Sequence, residues 1–190
     1  MEVFFPEFIR KRIGYDMEIE TLLESSLSQR SISKGELLFT QGSIAKEVFL
    51  IKKGLVRTYY LTKEGKEVTF GFSMEGQIVF AVDSFFELKK TKYSARAIED
   101  CQVYSIDYGS LEKLMASNDR ITQLAFNSLF SISRDLADDF SDIRCQRAKE
   151  RYQSIVLKKP GIMDRASVVH IASYLGIAPE TLSRIRKELE

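Results

Sequence analysis

The chain has 190 residues, 44% of them apolar and 29% charged, with a formal net charge of +1, a composition that suits one or two ordinary globular domains. No stretch approaches the length of apolar sequence that spans a bilayer, and the N-terminus lacks the basic and apolar regions of a secretory signal, so a cytoplasmic location is expected. One histidine, His170, and two cysteines, Cys101 and Cys145, are too few for the clusters that hold catalytic zinc or iron–sulfur centres; two reduced thiols, no metal, no cofactor and no enzyme activity are expected.

Residues 2–29 place Phe8, Ile9 and Ile13, then Ile19, Leu22, Leu23 and Leu27, at helical spacing with a break at Gly14, which predicts short N-terminal helices. From Ser31 the texture changes. ELLFT, VFLIKK, LVRTYYL, VTFGFS, YSARAI and QVYSI are rich in β-branched and aromatic residues and are separated by glycine-containing turns, the rhythm of an antiparallel sandwich or barrel. After Ile106 the pattern becomes helical. Asp107 is suited to cap a helix through Met115, and Ser117-Asn118-Asp119 to cap a second one.

Between Ser110 and Lys159 there is neither proline nor glycine. Ile121, Ala125, Leu129, Ile132, Leu136, Phe140 and Ile143 recur every three or four residues and keep one stripe on one helix face. Leu124, Phe126 and Phe130 widen that face, while Asp135, Asp138, Asp139 and Asp142 are expected to solvate the other side. The barrel can cover part of such a stripe, but hardly its full length at about 1.5 Å per residue, so it is read as the seam of a homodimer. A shorter helix, Ala148 to Lys158, ends at the breaker pair Pro160-Gly161.

The segment Val168 to Leu189 has the steric signature of a helix-turn-helix. Small Ala172 permits a close crossing, Gly176 supplies the positive backbone torsion that ends the first helix, and Ile177 plugs the corner. Leu182, Ile185 and Leu189 are expected to anchor the second helix on Ile171 and Leu175. Pro179 fits the first helical turn, although Ala178 is a weak cap. That leaves Glu180, Thr181, Ser183, Arg184 and Lys187 outward, a set suited to a major groove: Arg for guanine, Glu for a cytosine amino group, the others for phosphates. The charge distribution agrees: from Arg144 to Glu190 there are ten Lys/Arg and five Asp/Glu, net +5, leaving −4 for residues 1–143. An acidic front and a basic back suit a sensor joined to a polyanion-binding end.

IASYLGIAPETLSRIRKEL resembles the helix-turn-helix of the Crp/Fnr superfamily of transcription regulators. KGELLFTQGSIAKEVFLIKKGLVRTYY and SARAIEDCQVYSID resemble the first half and the last strands of that family's cyclic-nucleotide-binding-type β-roll. The resemblance implies an α+β protein: an antiparallel double-stranded β-helix (jelly-roll) sensor domain with the N-terminal helices over residues 1–118, a long dimerisation helix over 119–147, and a helix-turn-helix domain over 148–190. It also implies double-stranded DNA as partner, with RNA polymerase a further candidate. By motif position Glu180 and Arg184 match base-reading residues, and Ser167 and Thr181 match phosphate contacts. The family's β-hairpin wing is not expected, because the sequence stops at Glu190.

In family members that bind a cyclic nucleotide, a Gly-Glu pair meets the ribose and an arginine followed by a small hydroxyl residue meets the phosphate. Here Phe80-Ala81 and Lys90-Thr91-Lys92 stand at those places, and a buried phosphate needs the missing cation. Cyclic AMP is therefore not expected as effector. Phe72, Phe80, Ala81, Thr91 and Lys92 are candidate pocket residues for an effector of unknown identity, although a barrel interior also needs such phenylalanines for packing. A β-roll that binds an effector and acts through a protein partner is the alternative function.

Overall fold

The computed structural model describes residues 17–189; the helical positions expected at Phe8, Ile9, Ile13 and Gly14 lie outside them. The first element is helix α1 (Met17–Ser26). Eight strands follow: β1 (Ser28–Ile32), β2 (Leu37–Phe39), β3 (Glu47–Lys53), β4 (Val56–Leu61), β5 (Glu67–Ser73), β6 (Ile78–Val79), β7 (Ser94–Ala97) and β8 (Cys101–Asp107), with the one-turn helix α2 (Val82–Phe85) between β6 and β7. They form two antiparallel four-stranded sheets, ordered β1-β8-β3-β6 and β2-β7-β4-β5.

Alternating side chains point between the sheets, where Ile32, Phe39, Phe49, Ile51, Val56, Ala95, Ala97 and Val103 make a buried core. Glycine is obligatory at Gly54, where φ is 111° and a Cβ would collide with the Cys101 side chain. One expectation needs amending. Ser28 and Gln29 belong to strand β1 rather than to an N-terminal helix; SQRSI buries only Ile32, so an edge strand paired to β8 carries no alternation to betray it. Strand β6 and helix α2 are too short to impose a period at all.

Asp107 caps helix α3 (Tyr108–Ser117), its carboxylate accepting from the Ser110 amide at 3.1 Å. Asn118 caps helix α4 (Asp119–Cys145) by accepting from the Arg120 amide at 2.9 Å. At 27 residues α4 is about 40 Å long. Its start packs with α1 and α3 on the outer face of the first sheet, around Ile19, Leu23, Leu50, Tyr104, Ile106, Leu114 and Ile121. Four helices complete the described chain: α5 (Ala148–Lys158), α6 (Ile162–Arg165), α7 (Val168–Leu175) and α8 (Pro179–Leu189). Together they bury Ile155, Ile162, Ala166, Ile171, Ala172, Leu175 and Leu182 in one cluster with Leu55 and Phe72 of the roll. No helix among the described residues is long and apolar enough to cross a membrane.

Candidate nucleic-acid interface

Ser167 starts the C-terminal hairpin: its hydroxyl accepts from the His170 amide at 3.2 Å and satisfies one of the first donors of α7. The helix stops at Gly176, whose φ of 66° turns the chain, and the Ile177 amide then returns to the Ala172 carbonyl at 3.0 Å. Ala172 has no exposed surface, so α8 crosses α7 closely, and Leu182 and Ile185 are buried beneath α8. Leu189 is not the third anchor that its spacing suggests. It is exposed, because the eight residues of α7 end before α8 does.

With that inner face fixed, Glu180, Ser183, Arg184 and Lys187 are exposed and Thr181 is half-buried at the edge. The Arg184 side chain is 74% exposed, and its nearest carboxylate, Glu188 one turn on, is 4.0 Å away. An exposed i,i+4 pair at that separation holds a guanidinium weakly, so Arg184 can turn toward a ligand at little cost.

The hairpin is seated on the roll by its first helix. The Ser173 hydroxyl accepts from the Thr69 amide of β5 at 3.0 Å. Tyr174 stands edge-on to Phe72, ring centroids 5.6 Å apart, and donates its hydroxyl to Asp139 of α4 at 2.6 Å. Arg165 forks onto Glu75 at 2.8 and 3.0 Å and onto Glu99 at 2.6 and 3.2 Å. Farther along α4, Asp142 accepts from Lys158 at 2.7 Å and from Ser154 at 2.8 Å. The sequence reading gave Asp139 and Asp142 to solvent; instead they tie α4 to the C-terminal helices. Their helical phase shows a polar face, but the residues that would meet them lie far along the chain, and no local signal marks that meeting.

Under α7, the buried Arg57 pairs with Glu67, which also accepts from Arg96 at 3.0 Å, and both guanidiniums lie over the Tyr59 ring. Burial, helped by Arg57 and Arg96, depresses the pKa of His170 on α7.

The expected dimer seam divides. Ile121, 1% exposed, is inside its own protomer, and Ala125, Leu129 and Ile132 are half-buried beside the roll. The apolar side chains that α4 leaves open are Phe126 (68%), Phe130, Leu136, Phe140 (61%) and Ile143.

A cleft of about 400 Å³ lies between the roll and the middle of α4. Of the five candidate effector residues, Phe72 and Phe80 line it. Ala81 and Thr91 are buried in the roll, and Lys92 is exposed in a loop whose backbone amide donates to Asp83 at 2.9 Å. Phe70, another phenylalanine that the sequence offers for an apolar pocket, also lines the cleft, and so do Tyr93, Asp135, Asp139 and Lys159, which sequence reasoning does not single out for it. Lys159 donates to the Phe72 carbonyl at 2.8 Å, and burial lowers the pKa of its amine. Among the described residues no group of three or more His, Cys, Asp or Glu side chains is placed to hold a metal ion.

Residues 29–118 match the model of the cyclic nucleotide-binding domain. The Bacillus subtilis anaerobic regulatory protein is 33% identical over 105 residues, which are 55% of this chain and 44% of that protein. The transcriptional activator protein Anr of Pseudomonas aeruginosa is 26% identical over 182 residues, covering 88% of this chain and 72% of that one. Two solved structures share the fold. FixK2 from Bradyrhizobium japonicum superposes with a TM-score of 0.74 at 24% identity, over 86% of this chain and 84% of its own. The c-di-GMP responsive global regulator CLP of Xanthomonas campestris does so at 0.72 and 19%, over 92% and 91%.

Proposed function

We propose that the chain is a dimeric transcription regulator of the Crp/Fnr superfamily that reads a palindromic DNA site through α8, a reading supported by the cyclic nucleotide-binding domain match and the similarity to the activator Anr. One observation carries the reading: α8 buries Leu182 and Ile185 and turns Glu180, Ser183, Arg184 and Lys187 outward. A guanidinium in that place can bond the O6 and N7 of a guanine together, and the carboxylate one turn earlier can accept from a cytosine amino group. Ser167, Thr181, Ser183 and Lys187 are assigned to phosphates, which fix register without reading sequence.

The dimer forms through the open apolar edge of α4, from Phe126 and Phe130 to Leu136, Phe140 and Ile143. A two-fold pair of hairpins presents its reading helices to successive major grooves, so the half-sites are spaced by about 34 Å. The effector is a molecule other than cyclic AMP. Asp135 and Asp139 line the cleft, and the one lysine in its lining, Lys159, is engaged by the Phe72 carbonyl. A buried phosphate there would meet three carboxylates, of Glu75, Asp135 and Asp139, and no uncommitted cation among the described lining residues.

Selection of binding sites from random duplex DNA tests the reading. Arg184→Ala should cost about 1 to 3 kcal/mol on the selected site and relax preference at one base pair. Lys187→Ala should weaken all sequences alike and lower the salt slope by about one. Unchanged affinity and preference in Arg184→Ala would remove α8 as the reader.

A further inference from the structure

Three elements meet on one side chain of the helix that precedes the reader. The Tyr174 ring packs edge-on against Phe72 of β5, and its hydroxyl donates at 2.6 Å to Asp139 of α4. A phenylalanine would fill the same volume. The hydroxyl adds a directional, charge-assisted bond to a carboxylate on another element, and that bond fixes orientation as well as packing. Burial and the facing Asp139 carboxylate raise the tyrosine pKa far above its ordinary value, so the hydroxyl remains a donor throughout the physiological range.

Both partners of Tyr174 are also walls of the cleft, Phe72 from the roll and Asp139 from α4. Lys159, a third wall, holds the Phe72 carbonyl at 2.8 Å. On the other side, α7 and α8 share the buried Ile171, Ala172, Leu175 and Leu182, and cores packed at crystal density move as units. Whatever turns α7 therefore turns α8.

Resting on the reading of α8 as the DNA-binding helix, we infer that Tyr174 is its positioning residue. Tyr174 holds the hairpin at one orientation to the roll and the long helix.

The test pairs a distance with an affinity. Spin labels are placed at Lys113→Cys and Glu188→Cys in a Cys145→Ser background, and labelled protein is diluted with unlabelled protein so that distances within one protomer dominate. The unaltered Tyr174 protein should give one narrow distance, Tyr174→Phe and Asp139→Ala a broader or shifted one, and Asp139→Asn, whose amide oxygen still accepts, a narrow one again. On DNA from the selection, Tyr174→Phe should weaken the palindrome by about fivefold and a single half-site by less than about twofold, since orientation matters only when two helices must be in register. A distribution in Tyr174→Phe as narrow as in the parent, or palindrome and half-site weakened alike, overturns the inference. If the parent protein selects no DNA, the reading of α8 fails instead, and the distance distributions still decide the position of Tyr174.

Discussion

In α4, residues 119–132 and residues 133–145 follow one apolar period, yet the first half buries part of its apolar face on its own protomer and leaves only Phe126 and Phe130 open, whereas the second half leaves its large apolar side chains open. Ile121 and Ser128 are buried, and Leu124 packs with the cluster on the first sheet. Leu136 at the cleft and Phe140 and Ile143 beyond it are open, and the helix is held to α5 and α7 by the polar contacts of Asp139 and Asp142. A hydrophobic period therefore locates a face and leaves its cover undetermined. Cover depends on where the rest of the fold ends, and the roll is shorter than the helix.

Charge on the open half should have the largest effect. Leu136→Asp places carboxylates along the apolar edge and is expected to give a monomer in light scattering with no binding to palindromic DNA. A surviving dimer would move the seam off Leu136. On the covered half the expectation reverses: Ile121→Ala should lower unfolding free energy by about 2 to 5 kcal/mol, measured by denaturant, while the protein remains dimeric. Loss of the dimer in that variant would erase the distinction between the halves.

The smallest expected effect concerns acid. Burial alone would raise the Asp142 carboxyl, but hydrogen bonds from Lys158 and Ser154 prevail and hold its pKa below the usual 3.8. A carboxylate depressed in the fold contributes stability that is present above its unfolded value and is lost as pH falls through the folded one. Between about pH 5 and pH 2, the parent should therefore lose a little more stability than Asp142→Asn, by less than about 1 kcal/mol for so exposed a pair. Parallel melting curves for the two proteins across that range would show that Asp142 does not tether the open half.

Much of this architecture can be read from local chemistry. Asp107 and Asn118 cap the helices that their side chains suggest, and Ala172, Gly176, Leu182 and Ile185 build the hairpin their spacing requires. Six apolar runs become strands because alternation and glycine turns are local features. Strand β1 escapes detection because an edge strand with polar side chains looks like any polar segment. The cleft escapes because its walls, such as Tyr93, Asp139 and Lys159, come from segments far apart in sequence. Leu189 continues a helical period past the end of the helix it should meet, a mismatch of two lengths that neither segment reveals alone.

The contacts that seat the hairpin also carry a consequence for the order of folding. Ser173 bonds to Thr69 across 104 residues, and Arg165 reaches Glu75 and Glu99 across 90 and 66. Such closures are entropically late, and a chain synthesised from its N-terminus completes β4 and β5 before α7 exists. The roll is thus a template on which the last helices condense. In pulsed hydrogen exchange during refolding, amides of β4 and β5 should gain protection before those of Ile171 and Leu175; the opposite order would mean that the hairpin assembles without its platform.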